Sequence, residues 1–159
     1  MNARINLMNV NPGIIQAMLG LEKQVSKGAL DSKLLDLVRM RASQINGCAC
    51  CLDMHSKDAR AAGETEQRLY GLNAWRETPY YSPQERAALE WTEALTLVTE
   101  GHVPDEVYER VRDQFSEDEL AHLSLAIVAI NGWNRLNIAA RTVPGGYVAG
   151  SLAKMQAAG

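Results

Sequence analysis

The sequence predicts an all-α fold, and three observations carry that prediction. Apolar residues recur at three- and four-residue spacing along almost the whole chain, so the helical period dominates over the two-residue alternation of a half-buried strand. Two capping-box patterns, Ser82 to Glu85 and Ser116 to Glu119, stand at the head of long apolar-striped segments. Glycines fall where such segments would end. With 159 residues, 47% hydrophobic and 22% charged, the chain has the composition of one ordinary globular domain over 1–159, long enough to bury a core without cross-links.

Taken in order, a first helix is expected from Pro12 to about Gln24, since Pro suits the first helical position, with Gly28 as the break. Asp31 or Ser32 caps a second helix through Ile45, whose Leu34, Leu37, Val38, Arg41 and Ile45 fall on one side. Asn46-Gly47 is a turn signal. A third helix starts at about Cys48 and stops at Gly63, a short fourth runs from Thr65 to about Trp75, and a loop follows from Glu77 to Tyr81. Ser82 then opens a helix to about Glu100, striped by Ala88, Leu89, Trp91, Thr92, Leu95 and Val98 and ended by Gly101. A helix from Pro104 or Asp105 to about Gln114 precedes the longest element, Ser116 to about Arg141. Between Leu120 and Ile138 its only ionisable residues are His122 and Arg135, so it is expected to be buried on more than one side, with helical hairpins around it and part of its surface lent to another subunit. A homo-oligomer is therefore expected. After Pro144-Gly145-Gly146, a short helix through Lys154 is expected to dock on a neighbour.

Charge narrows the partners. The formal net charge is −3, with no block of like charge, which gives no footprint for nucleic acid or an anionic membrane surface. The most apolar stretch, Leu123 to Ile130, falls far short of the roughly 18 to 20 residues that span a bilayer, and no signal-peptide pattern is read at the N-terminus. Three cysteines, an odd number, argue against a secreted disulfide framework, so a reducing, cytoplasmic location is expected.

All three cysteines lie together, in Gly47-Cys48-Ala49-Cys50-Cys51-Leu52-Asp53-Met54-His55. On a helix, Cys48, Cys51 and His55 share one stripe, while Cys50 is about 100° away and reads as a small packing residue. Helical Cα atoms three residues apart are roughly 5 to 5.5 Å from each other, within the window of about 4.4 to 6.8 Å that a disulfide tolerates. Cys48 and Cys51 can thus cycle between dithiol and disulfide. Amides at a helix N-terminus stabilise thiolates, and this favours Cys48; a nearby base favours Cys51, since His55 is roughly 6 Å along the axis from Cys51 and roughly 10.5 Å from Cys48. Cys51 is accordingly assigned as the attacking thiolate, His55 as its proton acceptor and Cys48 as the resolving thiol. Zinc on Cys48, Cys51 and His55 is the competing chemistry, but His102 and His122 are isolated and no second ligand pair follows, so no metal is expected. A thioredoxin-type use of the pair would need βαβ units.

The run Leu37-Val38-Arg39-Met40-Arg41-Ala42-Ser43-Gln44-Ile45-Asn46-Gly47-Cys48-Ala49-Cys50-Cys51-Leu52-Asp53-Met54-His55-Ser56, with Gly63 after it, resembles the core of the alkylhydroperoxidase D-like (AhpD-like) branch of the carboxymuconolactone decarboxylase superfamily. Trp75-Arg76-Glu77, Ser82 to Leu89, Glu93 to Thr96 and Asn134-Arg135 look like that branch too, so the resemblance covers about residues 30 to 141. It implies a helical, dimeric, trimeric or hexameric antioxidant enzyme with peroxiredoxin-type activity on organic hydroperoxides, reduced by an external dithiol on a lipoyl-bearing or thioredoxin-like protein. The family's attacking and resolving cysteines fall on Cys51 and Cys48 and its His on His55. Its relay Glu, twelve residues before the first Cys, is Asp36 here, one methylene shorter, so a bridging water is expected in the relay. Position 50, often Tyr or another larger residue in relatives, is Cys. No flavin, haem or nucleotide signature is read. Two other functions are weighed: a decarboxylase or lactone-directed enzyme, whose representatives generally lack the cysteine pair, and a non-enzymatic redox-sensing oligomer.

Overall fold

Side-chain caps set most helix starts in the computed structural model, which describes residues 2–151. A single turn, α1 (Leu7–Val10), is capped by Asn6, which accepts from the Asn9 N–H. Asn11 caps α2 (Pro12–Val25) and Asp31 caps α3 (Ser32–Asn46). After α4 (Ala49–Ala61), Thr65 caps α5 (Glu66–Gly71), which runs into a 3₁₀ segment, Leu72–Glu77, kinked at Ala74. Both capping boxes close reciprocally, Ser82 with Glu85 at α6 (Pro83–Thr96) and Ser116 with Glu119 at α8 (Glu117–Ala140). Between them stands α7 (Asp105–Arg112). All the regular elements among the described residues are helices.

Five differences from the sequence reading stand out. The four-residue α1 is too short to show a period. The fourth helix is α only to Gly71 and 3₁₀ beyond it, while the helix from Pro83 stops at Thr96 and a 3₁₀ turn, Val98–Glu100, follows. Val98, placed on the apolar stripe, is therefore exposed. Most consequentially, Cys48 is not helical: its φ of −83° and ψ of 95° make it the extended N-cap of α4. The cause lies one residue earlier, where Gly47 takes φ 67° and ψ 33°, so that the Cys48 N–H bonds back to the Ser43 carbonyl at 3.1 Å and closes α3. Finally, residues 145–150 are not helical. They lie along this chain's own α4, where Asp53 accepts from the Gly145 N–H and Asp58 from the Gly150 N–H and the Tyr147 hydroxyl. The remainder of the tail, through Lys154, lies outside the described residues.

Helices α3 and α8 organise the core. One cluster joins Leu34 and Val38 of α3 to Ala88 and Trp91 of α6, Val111 of α7, and Leu123 and Ile127 of α8. A second places Leu37 and Met40 on Ala59, Leu72, Trp75 and Leu89. Each leucine, valine, isoleucine or methionine among them, when fully buried, contributes roughly 1.5 to 3 kcal/mol. Arg41, on the same side of α3, reaches Glu93 of α6 in an ion pair of 2.8 Å, which explains a charge among apolar neighbours. Helix α8 packs on α2, α3, α4, α6 and α7, yet leaves Val128 and Ile138 exposed.

Candidate redox site

The third core cluster is the chemistry-bearing one. Cys48 and Cys51 are 1% and 0% exposed and pack on Ala42 and Ile130, with Cys50 and Trp133 at the edge. Cys50 thus belongs to the rim of the same cluster instead of facing away, because the first turn of α4 is wedged between α3 and α8. All three are free thiols.

A row of asparagines on α8 lies against them. Asn131, Asn134 and Asn137 stand at three-residue spacing on an otherwise apolar helix. The Asn46 amide donates to Asn131 Oδ1 at 3.0 Å and to Asn134 Oδ1 at 2.8 Å, and Asn134 Nδ2 donates to Ser43 Oγ at 3.1 Å. This network fixes the α3–α4 turn that presents Cys48. Asn137 Nδ2 donates to Cys51 Sγ at 3.6 Å. The sequence reading set no role for these amides, although polar residues repeated at helical spacing on a buried face were the visible sign.

The two sulfurs shift in opposite directions. The Cys51 side chain, assisted by the backbone N–H groups of Cys51 and Cys50 and the Asn134 amide and opposed by burial, lowers the Cys48 thiol to about 7. The Cys48 side chain, followed by burial, pushes Cys51 up. The pair therefore loses its first proton readily and keeps the second, and the charge rests on the N-cap sulfur. Burial, then the charges of Cys48 and Asp53, raises Cys50.

His55 is 4% exposed and its Nε2 has no protein hydrogen-bond partner. Burial, with the Arg39 charge second, lowers its pKa to about 3, so the imidazole is neutral. No hydrogen bond joins it to Asp36 or Cys51. Arg39 lies 2.9 Å from the buried Glu22 carboxylate of α2 and 3.7 Å from Asp36. Glu22 was not singled out from sequence, since its burial is set by packing of α2. Burial is also the chief cause that raises Asp36 to about 6, over the opposing Arg39 charge and with Asp58, Asp31 and Glu64 adding to it. Among the described residues, no group of three His, Cys, Asp or Glu side chains converges to hold a metal ion.

The raised Asp36 has a measurable consequence. Between about pH 4 and 6 the folded protein holds a proton that the unfolded chain, titrating at 3.8, has lost, so stability from this group is full below 4 and is lost as pH rises through 6. Asp36→Asn is expected to stabilise the protein by about 1 to 2 kcal/mol at pH 7, after discounting for partial exposure, and by nearly nothing at pH 4. Urea unfolding at the two pH values checks this.

Two cavities flank this region. One of about 650 Å³ lies between Met40 and Gln44 of α3, Lys57 and Arg60 of α4 and Tyr70, and none of the four predicted site residues lines it. A smaller one, of about 330 Å³, is lined by Trp133 and Asn137 of α8 and by the N-terminal segment.

Comparison with known proteins bears on the family and the fold. The sequence model of the Carboxymuconolactone decarboxylase family matches residues 12–94, more than half of the chain. The chain belongs to this family. Within the carboxymuconolactone decarboxylase family it is 45% identical, over 87% of this chain and 95% of the relative, to the uncharacterised YdfG of Bacillus subtilis. Its fold matches a solved protein of unknown function, ATU0492 from Agrobacterium tumefaciens, suggested to be an antioxidant defence protein AhpD. That match has a TM-score of 0.88 and 39% identity, and covers 92% of this chain and all of the other. The AhpD-like resemblance drawn from the sequence thus stands. The debrominase Bmp8 shares the fold at TM-score 0.77 and 21% identity, covering 94% of this chain and 77% of its own. No helix among the described residues is long and apolar enough to cross a membrane.

Proposed function

We propose that this protein is a thiol-dependent alkyl hydroperoxide reductase, with Cys51 as the attacking sulfur, Cys48 as the resolving one, and His55 and Asp36 handling protons. The observation that carries this reading is the buried Cys48–Cys51 pair, whose first proton is lost near neutral pH while the second is retained. The resting charge on Cys48 and attack by Cys51 are compatible. Transfer of the Cys51 proton to Cys48 generates the thiolate on the less acidic, more nucleophilic sulfur, where the Asn137 amide stabilises it.

The Cys51 thiolate attacks the terminal peroxide oxygen, the O–O bond breaks, and Cys51 becomes a sulfenic acid while an alkoxide leaves. The alkoxide takes its proton from Asp36, relayed through His55 and a bridging water; an acid titrating at about 6 suits this transfer. Cys48 then attacks the sulfenic sulfur, its own proton leaving with the hydroxide as water, and the disulfide forms. An external dithiol, lipoyl-bearing or thioredoxin-like, exchanges with the disulfide and restores the pair. The antioxidant role suggested for the Agrobacterium relative supports the same reading, and the exposed Val128 and Ile138 of α8 support assembly with further copies.

The test is consumption of cumene hydroperoxide driven by dihydrolipoamide, with peptide mapping of the thiols after one equivalent of peroxide. Catalytic turnover with a Cys48–Cys51 disulfide is expected. Stoichiometric oxidation without turnover would overturn the reductase reading and leave a redox sensor.

A further inference from the structure

We propose that the cavity between the N-terminal segment and the second half of α8 binds the organic part of the substrate, and that it selects a compact, neutral group over a fatty-acid chain. This deepens the reductase reading and rests on it. The cavity, of about 330 Å³, is of a size for a small ligand. Ile5, Leu7 and Met8 from one side and Val143 from another make its wall apolar, and no charged residue lines it, so nothing there would compensate a carboxylate.

Four polar side chains break this wall, Asn6, Thr142, Asn137 and Trp133, and the last two lead to the cysteines. Asn137 lines the cavity and its amide also donates to Cys51 Sγ, so the space is one side chain from the attacking sulfur. Trp133 lines it as well, packs on the Cys48–Cys51 cluster, and carries a buried indole N–H with no acceptor in the protein. A buried donor without a partner is rare in a folded chain, and a ligand oxygen beside the peroxide carbon is the group that would satisfy it. The N-terminal wall is fastened in place, since the Arg4 N–H donates to the Ala140 carbonyl at 2.8 Å, at the end of α8. Just beyond, Arg141 takes the left-handed conformation at φ 52° and turns the chain toward Thr142 and Val143.

The test uses the full chain and cumyl alcohol, the redox-inert alcohol corresponding to cumene hydroperoxide, with binding read by ligand-observed NMR and tryptophan fluorescence. Trp133→Phe removes the N–H and keeps an aromatic ring, and Ile5→Asp places a charge in the wall on a residue outside the core. Each is expected to weaken cumyl alcohol binding about tenfold, and to lower the preference in kcat/KM for cumene hydroperoxide over hydrogen peroxide by the same factor. Equal binding by wild type and both variants, no binding by wild type, or equal efficiency with a fatty-acid hydroperoxide would overturn the proposal. A protein that binds cumyl alcohol in this way but consumes no peroxide keeps the cavity and loses the reductase reading. One that turns over peroxide with unchanged preference in both variants does the reverse.

Discussion

Cys51→Ser is expected to abolish dithiol-driven peroxide consumption, by about a thousandfold or more, because a serine hydroxyl at neutral pH does not replace a thiolate attacking an O–O bond. Cys48→Ser should also stop steady-state turnover, but for a different reason. It can complete one attack, so one equivalent of peroxide should leave a sulfenic acid on Cys51 that a dimedone-type reagent traps. The two variants differ in acidity too. Cys51 is the chief cause that lowers Cys48, so in Cys51→Ser the remaining Cys48 should move up from about 7 toward an ordinary thiol. Cys48 is the chief cause that raises Cys51, so in Cys48→Ser the remaining Cys51 should come down. Thiolate absorbance against pH reads both shifts. A sulfenic acid that forms on Cys48 in Cys51→Ser, with none on Cys51 in Cys48→Ser, would exchange the two roles.

Much of this scaffold is legible in local sequence because local chemistry fixes it. Two capping boxes, the Asp31 cap and Gly47 each specify a helix end from a few neighbouring residues, and those four ends lie where the sequence places them. The placing of Cys48 and Cys51 at the head of α4, with His55 one turn further along it, is legible for the same reason. What sequence does not carry is the electrostatic state. Asp36 is raised by burial, against the Arg39 charge and with the charges of Asp58, Asp31 and Glu64 adding to it, and His55 is held neutral by burial and then by the Arg39 charge. Such shifts depend on which side chains tertiary packing brings together. The acidity of the cysteines illustrates the limit: distance to His55 is the sequence argument for Cys51, whereas the Cys51 side chain, beside backbone amides and Asn134, makes Cys48 the charged member at rest. Likewise the four-residue α1 and the orphaned Trp133 N–H, which frame the smaller cavity, leave no periodic trace.

Asn134→Ala is the variant in which stability and chemistry should fall together. Asn134 is fully buried, accepts from Asn46 and donates to Ser43, so truncation removes two hydrogen bonds and leaves Ser43 Oγ without that donor in a buried setting. A loss of about 2 to 4 kcal/mol is expected, as for a buried network broken from one side. For a chain of this length that is a fall in Tm of roughly 5 to 15 °C. The same amide helps lower Cys48, and it steadies the turn that presents that sulfur at the head of α4. Cys48 in Asn134→Ala should therefore titrate above about 7 and alkylate more slowly at neutral pH, even well below the lowered Tm. Measuring alkylation against pH at a temperature where the variant is fully folded separates the two effects. An unchanged Cys48 profile beside a lowered Tm would confine Asn134 to packing, and a raised profile would assign it to tuning the pair, through an amide that never needs to touch the peroxide.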